Sequence, residues 1–238
     1  MGIANSARRS IMRIGFLTSI LTAIVAAISM GIGITTPPRS GPFCTLETCI
    51  TYPYTDAAQF VPRDYLWMYP ALLMVLLFVV LIGILRHYAS PDKQVFSTIA
   101  LSLAIVSAAM LIMDYFIQLA VMQPSFLKGE VEGLSLFSQY NPHGIFIALE
   151  DLGYLLMGVS FLFIAPVFVG QRRLGKAIRL LFITSGILTI GALILLSILY
   201  GTDLEYRYEV ASITINWLTL IIGGVMLSLY FKRAGYLE

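Results

Sequence analysis

Long apolar segments alternate with short polar ones along the chain. A helix needs about 20 mostly apolar residues to cross the hydrocarbon core of a bilayer, and six segments reach that length. None of them alternates polar and apolar residues as a barrel strand does, so each is predicted to be a helix that satisfies its own backbone hydrogen bonds. The six predicted helices cover residues 14–35, 67–85, 96–121, 144–169, 178–200 and 210–231.

The composition supports a protein embedded in lipid. Of the 238 residues, 58% are hydrophobic and 12% are charged, whereas a soluble domain carries about 25% charged residues. We therefore predict an all-α fold, a polytopic six-helix transmembrane bundle that forms a single integral membrane domain over residues 1–238 and contacts the lipid bilayer. The net charge of +2 is too small to indicate a nucleic-acid partner.

Lysine and arginine are concentrated at one end of the predicted helices, and this end is expected to be cytoplasmic. The basic residues on the cytoplasmic side are Arg8, Arg9, Arg13, Arg86, Lys93, Arg172, Arg173, Lys176, Arg179, Lys232 and Arg233. The opposite side holds only Arg39, Arg63, Lys128 and Arg207. Both termini are thus predicted to be cytoplasmic, with elaborated outer loops at residues 36–66, 122–143 and 201–209. Acidic residues such as Asp64 and Glu209 fall in these outer loops.

The beginning of the chain allows a second interpretation. The basic segment ARRSIMR precedes an apolar run, a pattern that twin-arginine and Sec signal peptides share. The apolar core of a signal peptide has about 7–15 residues, and the run here is longer, so a first membrane helix is the preferred interpretation. We expect a multi-pass protein of a bacterial or archaeal plasma membrane.

The first outer loop, residues 36–66, combines frequent proline with frequent aromatic residues. The prolines exclude a regular helix, and the aromatic content predicts that part of the loop folds over the outer mouth of the bundle as a lid. Cys44 and Cys49 lie in this loop on the oxidising side of the membrane, so a disulfide is predicted. A metal site with two thiols is the alternative, but no histidine lies nearby in the sequence.

Three carboxylates, Asp114, Glu150 and Asp151, interrupt the predicted membrane helices. An ionisable group in hydrocarbon is costly and normally faces a bundle interior or a wet cavity. The helical rise of 1.5 Å per residue places Glu150 and Asp151 roughly 10–12 Å below the outer end of their helix, and Asp114 lies at a comparable depth. Residues at the same depth or on the same helical faces complete the predicted ligand-binding set: Asp114, Gln118, His143, Glu150, Asp151, Tyr154 and Asn216.

Clustered carboxylates can do several kinds of chemistry. Burial and mutual repulsion disfavour the charged form, so we expect some of them to be protonated at neutral pH. They could carry a proton, bind a cation or accept a cationic ligand, and Asp114, Glu150 and Asp151 together with His143 are candidate metal ligands. A purely structural role is the alternative, in which protonated acids join the third, fourth and sixth helices through hydrogen bonds.

Several cofactor chemistries are disfavoured by the sequence. The two histidines, His87 and His143, fall at opposite ends of predicted helices and cannot ligate one haem iron. No lysine lies inside a predicted helix to form a retinal Schiff base. The HExxH, GxSxG and Walker motifs are missing as well, which disfavours nucleotide hydrolysis.

The sequence thus predicts a membrane protein whose acidic pocket in the outer half binds or transports a cation or a small cationic or amphipathic ligand. The cytoplasmic half has few polar residues for a continuous pathway, which favours binding at the outer face over transport. Two alternatives remain open: a membrane-embedded enzyme acting on a lipid or isoprenoid-like substrate at the outer leaflet, and an accessory or assembly subunit with structural buried acids. Besides the bilayer and a small ligand, the candidate partners are further copies of the chain or a complex in which it is a subunit.

Overall fold

The computed structural model describes residues 2–45, 47–171 and 173–236, with side chains from residue 10 to residue 233 apart from 46 and 172. Within these residues every regular element is helical, and six helices are long and apolar enough to span a membrane. The prediction of an all-α six-helix membrane bundle is confirmed. The six long helices are α1 Gly2–Thr35, α2 Met68–Tyr88, α3 Gln94–Ile117, α4 Ile145–Ile164, α5 Arg173–Tyr200 and α6 Tyr206–Tyr236.

The six helices form a closed ring around a packed interior. Each of α1 to α5 packs against the next helix in the chain, and α6 packs against α1. Helix α4 also contacts α6 and α2, so it is the most deeply buried of the spans. Because α4 carries Glu150, this arrangement places that carboxyl group near the middle of the bundle.

The outer surfaces of the helices are apolar. On α5, for example, Ile187, Leu188, Ile194 and Leu195 are each more than half exposed. Such a continuous apolar surface is unfavourable in water and is the surface that contacts acyl chains in a bilayer. The topology predicted from the basic residues remains a prediction. Among the residues on which it depends, Arg172 and the side chains of Arg8 and Arg9 lie outside the described residues.

Small residues fix the contact between α3 and α4. Ser107 Oγ donates a hydrogen bond of 2.7 Å to the carbonyl oxygen of Gly153, and Ser160 Oγ donates one of 2.8 Å to that of Ala100. A Cβ atom on Gly153 would lie 2.6 Å from the side chain of Leu111, so only glycine permits this approach. These contacts set the register in which the acids of the two helices face each other.

Two helix ends differ from the pattern of apolar residues. Helix α6 begins at Tyr206, before the apolar run that starts at residue 210, so Glu209 belongs to its first turn and not to the outer loop. An acid is favourable there because the helix dipole is positive at its N-terminus. Helix α3 continues through a π-helical turn, Gln118–Met122, into the short helix Gln123–Lys128.

The first outer loop folds onto the end of the bundle at which α6 begins, which we call the outer end. It contains three 3₁₀ turns and buries Tyr54, Ala57 and Tyr65. Cys44 and Cys49 form a disulfide, as predicted. Ser40 Oγ donates to the backbone oxygen of Tyr140, which joins this loop to the second outer loop.

Gly41 fixes the contact between the first outer loop and α6. Its φ of +66° is unfavourable for other residues, and a Cβ atom would lie 2.5 Å from the ring of Tyr206. We expect Gly41→Ala to lower the free energy of unfolding by about 2–4 kcal/mol, since left-handed strain and a steric clash are added together. Thermal unfolding of the detergent-solubilised protein would measure the change.

The matched control is Gly133→Ala. Gly133 also has a positive φ, +74°, but its Cβ atom would meet open space. In this variant only backbone strain is added, so the free energy of unfolding should fall by about 1 kcal/mol. Equal losses in the two variants would show that Tyr206 does not restrict the loop.

Candidate functional site

A cavity of about 390 Å³ opens at the outer end between α1, α6 and the first outer loop. Its lining is largely apolar, with Met30 and Ile34 from α1 and Val210 and Ile213 from α6. The indole rings of Trp67 and Trp217 also line it, with centroids 6.0 Å apart. The cavity is therefore an aromatic and apolar space in which a few polar groups stand out.

Three charged residues line the cavity among those that the structure describes, namely Arg39, Asp64 and Glu209. Arg39 and Asp64 form a buried ion pair, in which Arg39 Nε lies 2.8 Å from Asp64 Oδ2. Glu209 forms no ion pair within the described part of the chain. Among the described residues, it is thus the acid of the cavity that has no basic partner.

The Arg39–Asp64 pair is held from several sides. Arg39 Nη1 donates to Thr48 Oγ1 at 2.9 Å, and its guanidinium lies 3.9 Å from the centre of the Phe60 ring. Tyr140 OH donates to Asp64 Oδ2 at 3.4 Å. Burial raises the pKa of Tyr140 well above its ordinary value, so this phenol stays neutral and keeps its proton. The pair connects the wall of the cavity to both outer loops.

Behind the cavity, a chain of hydrogen bonds crosses the bundle from α6 through α4 to α3. Trp217 Nε1 donates to Tyr154 OH at 2.7 Å, and Tyr154 OH lies 2.7 Å from Tyr115 OH. Tyr115 OH donates to Glu150 Oε1 at 2.6 Å. Because an indole N–H only donates and Tyr115 uses its proton on Glu150, Tyr154 must donate to Tyr115. All donors thus point the same way and end on Glu150.

Glu150 is fully buried, and no donor among the described residues reaches its second oxygen, Oε2. The carboxyl group of Glu209 lies beside it, within hydrogen-bonding range. Glu209 therefore links the cavity that it lines to the buried network that ends on Glu150.

The structure places the other predicted acids around this pair. Asp114 is buried and Asp151 is half-buried, and both lie within electrostatic range of Glu150. One oxygen of each, Asp114 Oδ2 and Asp151 Oδ1, accepts no hydrogen bond from the residues that the structure describes. These two acids surround the Glu150–Glu209 pair but do not line the cavity.

The two predicted amides are buried and serve partly as structural links. Gln118 Nε2 donates to the backbone oxygen of Phe137 at 2.5 Å, which ties α3 to the second outer loop. Asn216 Nδ2 donates to the backbone oxygens of Ser212 and Tyr154, which ties α6 to α4. The side-chain oxygens of both amides lack a donor.

His143 lies apart from the acids of the bundle. Its side chain is mostly exposed, and its Nε2 atom is 3.8 Å from Glu205 Oε1 at the surface. Within the described residues, no group of three or more His, Cys, Asp or Glu side chains is arranged to hold a metal ion. The acids and His143 are therefore not brought together as a metal centre here.

Sequence reasoning did not identify Glu209 and Tyr115 as part of the site. The pattern of apolar residues places Glu209 in a loop because the apolar run begins only at residue 210. Its spacing of seven residues from Asn216 places both on one face of a helix, and this signal could have revealed it. Tyr115 lies on a different face of α3 from Asp114, and it is Tyr115 that contacts Glu150.

Comparison of the chain with protein-family models, with curated proteins and with solved structures gives no match.

The burial of the Arg39–Asp64 ion pair leads to a prediction about stability. Replacing Arg39 by Gln leaves Asp64 buried without its cation, and we expect a loss of about 3–5 kcal/mol in the free energy of unfolding. The double variant Arg39→Gln, Asp64→Asn removes both charges and should recover a large part of that loss. Thermal unfolding of the wild type, both single variants and the double variant would give the coupling energy. Strictly additive losses would show that the two groups do not stabilise each other.

Proposed function

We propose that the protein binds a small amphipathic organic cation in the outer cavity. The ammonium group would lie against Glu209, and the apolar part would contact the indole rings and the aliphatic side chains of α1 and α6. The observation that carries this proposal is the position of Glu209, which has no basic partner in the described part of the chain and lies in a largely apolar and aromatic cavity.

The chemistry of the lining supports a cation over other ligands. An anion would be repelled by Glu209, and Arg39 cannot attract it effectively because its guanidinium is already paired with Asp64. The electron-rich rings of Trp67 and Trp217 line the same cavity, and aromatic rings of this kind are compatible with a nearby cation. A neutral apolar molecule would fit the lining but would leave Glu209 desolvated without compensation.

The size of the cavity supports a small molecule. About 390 Å³ falls within the roughly 300–1,000 Å³ typical of ligand pockets. The first outer loop forms part of the wall through Arg39, Ser40 and Phe43, which is consistent with the predicted lid. In this proposal the predicted acids Asp114, Glu150 and Asp151, which do not line the cavity, surround Glu209 and are not direct ligands.

The two tryptophans provide a direct probe of binding. The chain contains two tryptophans, and both line the cavity, so tryptophan fluorescence reports on its contents. We expect phenethylamine to change the emission of the purified protein in a saturable way. The uncharged analogue 2-phenylethanol has nearly the same shape and should bind about tenfold more weakly or worse, because it cannot form a charge-assisted contact with Glu209.

The variant Glu209→Gln tests the acid itself. It should weaken binding of phenethylamine about tenfold or more while leaving that of 2-phenylethanol nearly unchanged. Asp203→Asn is the matched control, since Asp203 is an exposed acid at the same end of the bundle and does not line the cavity. Equal affinity for the amine and the alcohol in the wild type would contradict the proposal.

A further inference from the structure

The contact between Glu150 and Glu209 implies a proton. Two ionised carboxylates side by side, one fully buried and the other half-buried, repel each other strongly, and neither can donate a hydrogen bond. Tyr115 satisfies only one oxygen of Glu150, and the other has no donor in the described structure. A single proton on the pair would remove the repulsion and would let one carboxyl group donate to the other.

The groups that face the pair favour this proton. Helix α3 contributes an acid and a phenol, helix α4 contributes the same, and α6 adds a further phenol. These groups are Asp114, Tyr115, Asp151, Tyr154 and Tyr206. The outer loops contribute Arg39, but its charge is balanced by Asp64. The described surroundings of the pair thus supply no free positive charge that would stabilise a second carboxylate.

We propose that binding of an organic cation in the cavity releases the proton held between Glu150 and Glu209. The inference rests on the proposed function. The arriving ammonium group supplies the positive charge that the proton supplied before, so both carboxyl groups become ionised. The O–H bond of the pair breaks, the proton leaves to the outer solution through the cavity, and the total charge of the site stays the same.

The cavity offers the exit for this proton. Glu209 is half-buried and lines the cavity, whereas Glu150 is fully buried behind it. Proton and ammonium group therefore compete for the same carboxyl group from the same side. In this arrangement Glu209 binds the cation, and Glu150 is a positioning residue that holds the shared proton in place when the cavity is empty.

The pH dependence of phenethylamine binding tests the inference. Around neutral pH the amine stays charged, so a change in affinity reports on the protein. If one proton leaves for each amine bound, the Kd measured by tryptophan fluorescence should fall about tenfold for each unit increase in pH. The sign follows from competition, because raising the pH removes the proton that opposes binding.

Two variants identify the group that titrates. In Glu150→Gln the amide can donate to Glu209 without a shared proton, so binding should persist and its Kd should become nearly independent of pH. His143→Gln removes an exposed histidine at the same end of the bundle and should keep the slope of the wild type. A structural role of Glu150 alone would not convert a pH-dependent Kd into a constant one.

The outcomes separate the two proposals. A wild-type Kd that is saturable but independent of pH would overturn the proton release and leave the binding proposal intact. The proposal of proton release would also be overturned if the pH dependence of the Kd disappeared in His143→Gln. If phenethylamine causes no saturable change at any pH, both proposals fail. The wild-type measurement decides between these results even if Glu150→Gln does not fold.

Discussion

The burial of Glu150 at the centre of the bundle is the constraint on which the rest of the site depends. A carboxyl group in this position must find hydrogen-bond donors within the protein, because lipid provides none. Tyr115 supplies one donor, Tyr154 orients Tyr115, and Trp217 orients Tyr154. This chain of hydrogen bonds links α3, α4 and α6 around a single acid.

The packing between α3 and α4 makes this arrangement possible. Tyr115 can reach Glu150 only if the two helices approach closely and in a fixed register. Serine and glycine in the contact allow that approach, and the serine hydroxyls donate across it to backbone oxygens. The same few residues therefore provide both the close packing and the hydrogen bonds between α3 and α4, so a substitution that changes one also changes the other.

The sequence was sufficient for the helices but not for the full site. Runs of apolar residues are long enough to identify six spans. The disulfide of Cys44 and Cys49 was predictable because the first outer loop is expected on the oxidising side of the membrane. Helical spacing also placed Glu150 and Tyr154 on one face. It could not show which face of α3 meets α4, since the rotation of a helix about its axis is set by its neighbours. The contact between Arg39 and Asp64 could not be predicted, because an irregular loop has no periodicity from which a contact could be inferred.

The direction of the hydrogen bonds behind the cavity has a further consequence for proton movement. A chain of hydroxyl groups can pass a proton along only if every member can both accept and donate. The chain from Glu150 through Tyr115 and Tyr154 ends on the indole nitrogen of Trp217, which has no free lone pair to accept with. A proton that migrates along this chain therefore cannot pass beyond Tyr154. The same contacts that fix Glu150 therefore insulate it along this route, and the proposed release of its proton to the outer cavity does not depend on conduction through the phenols.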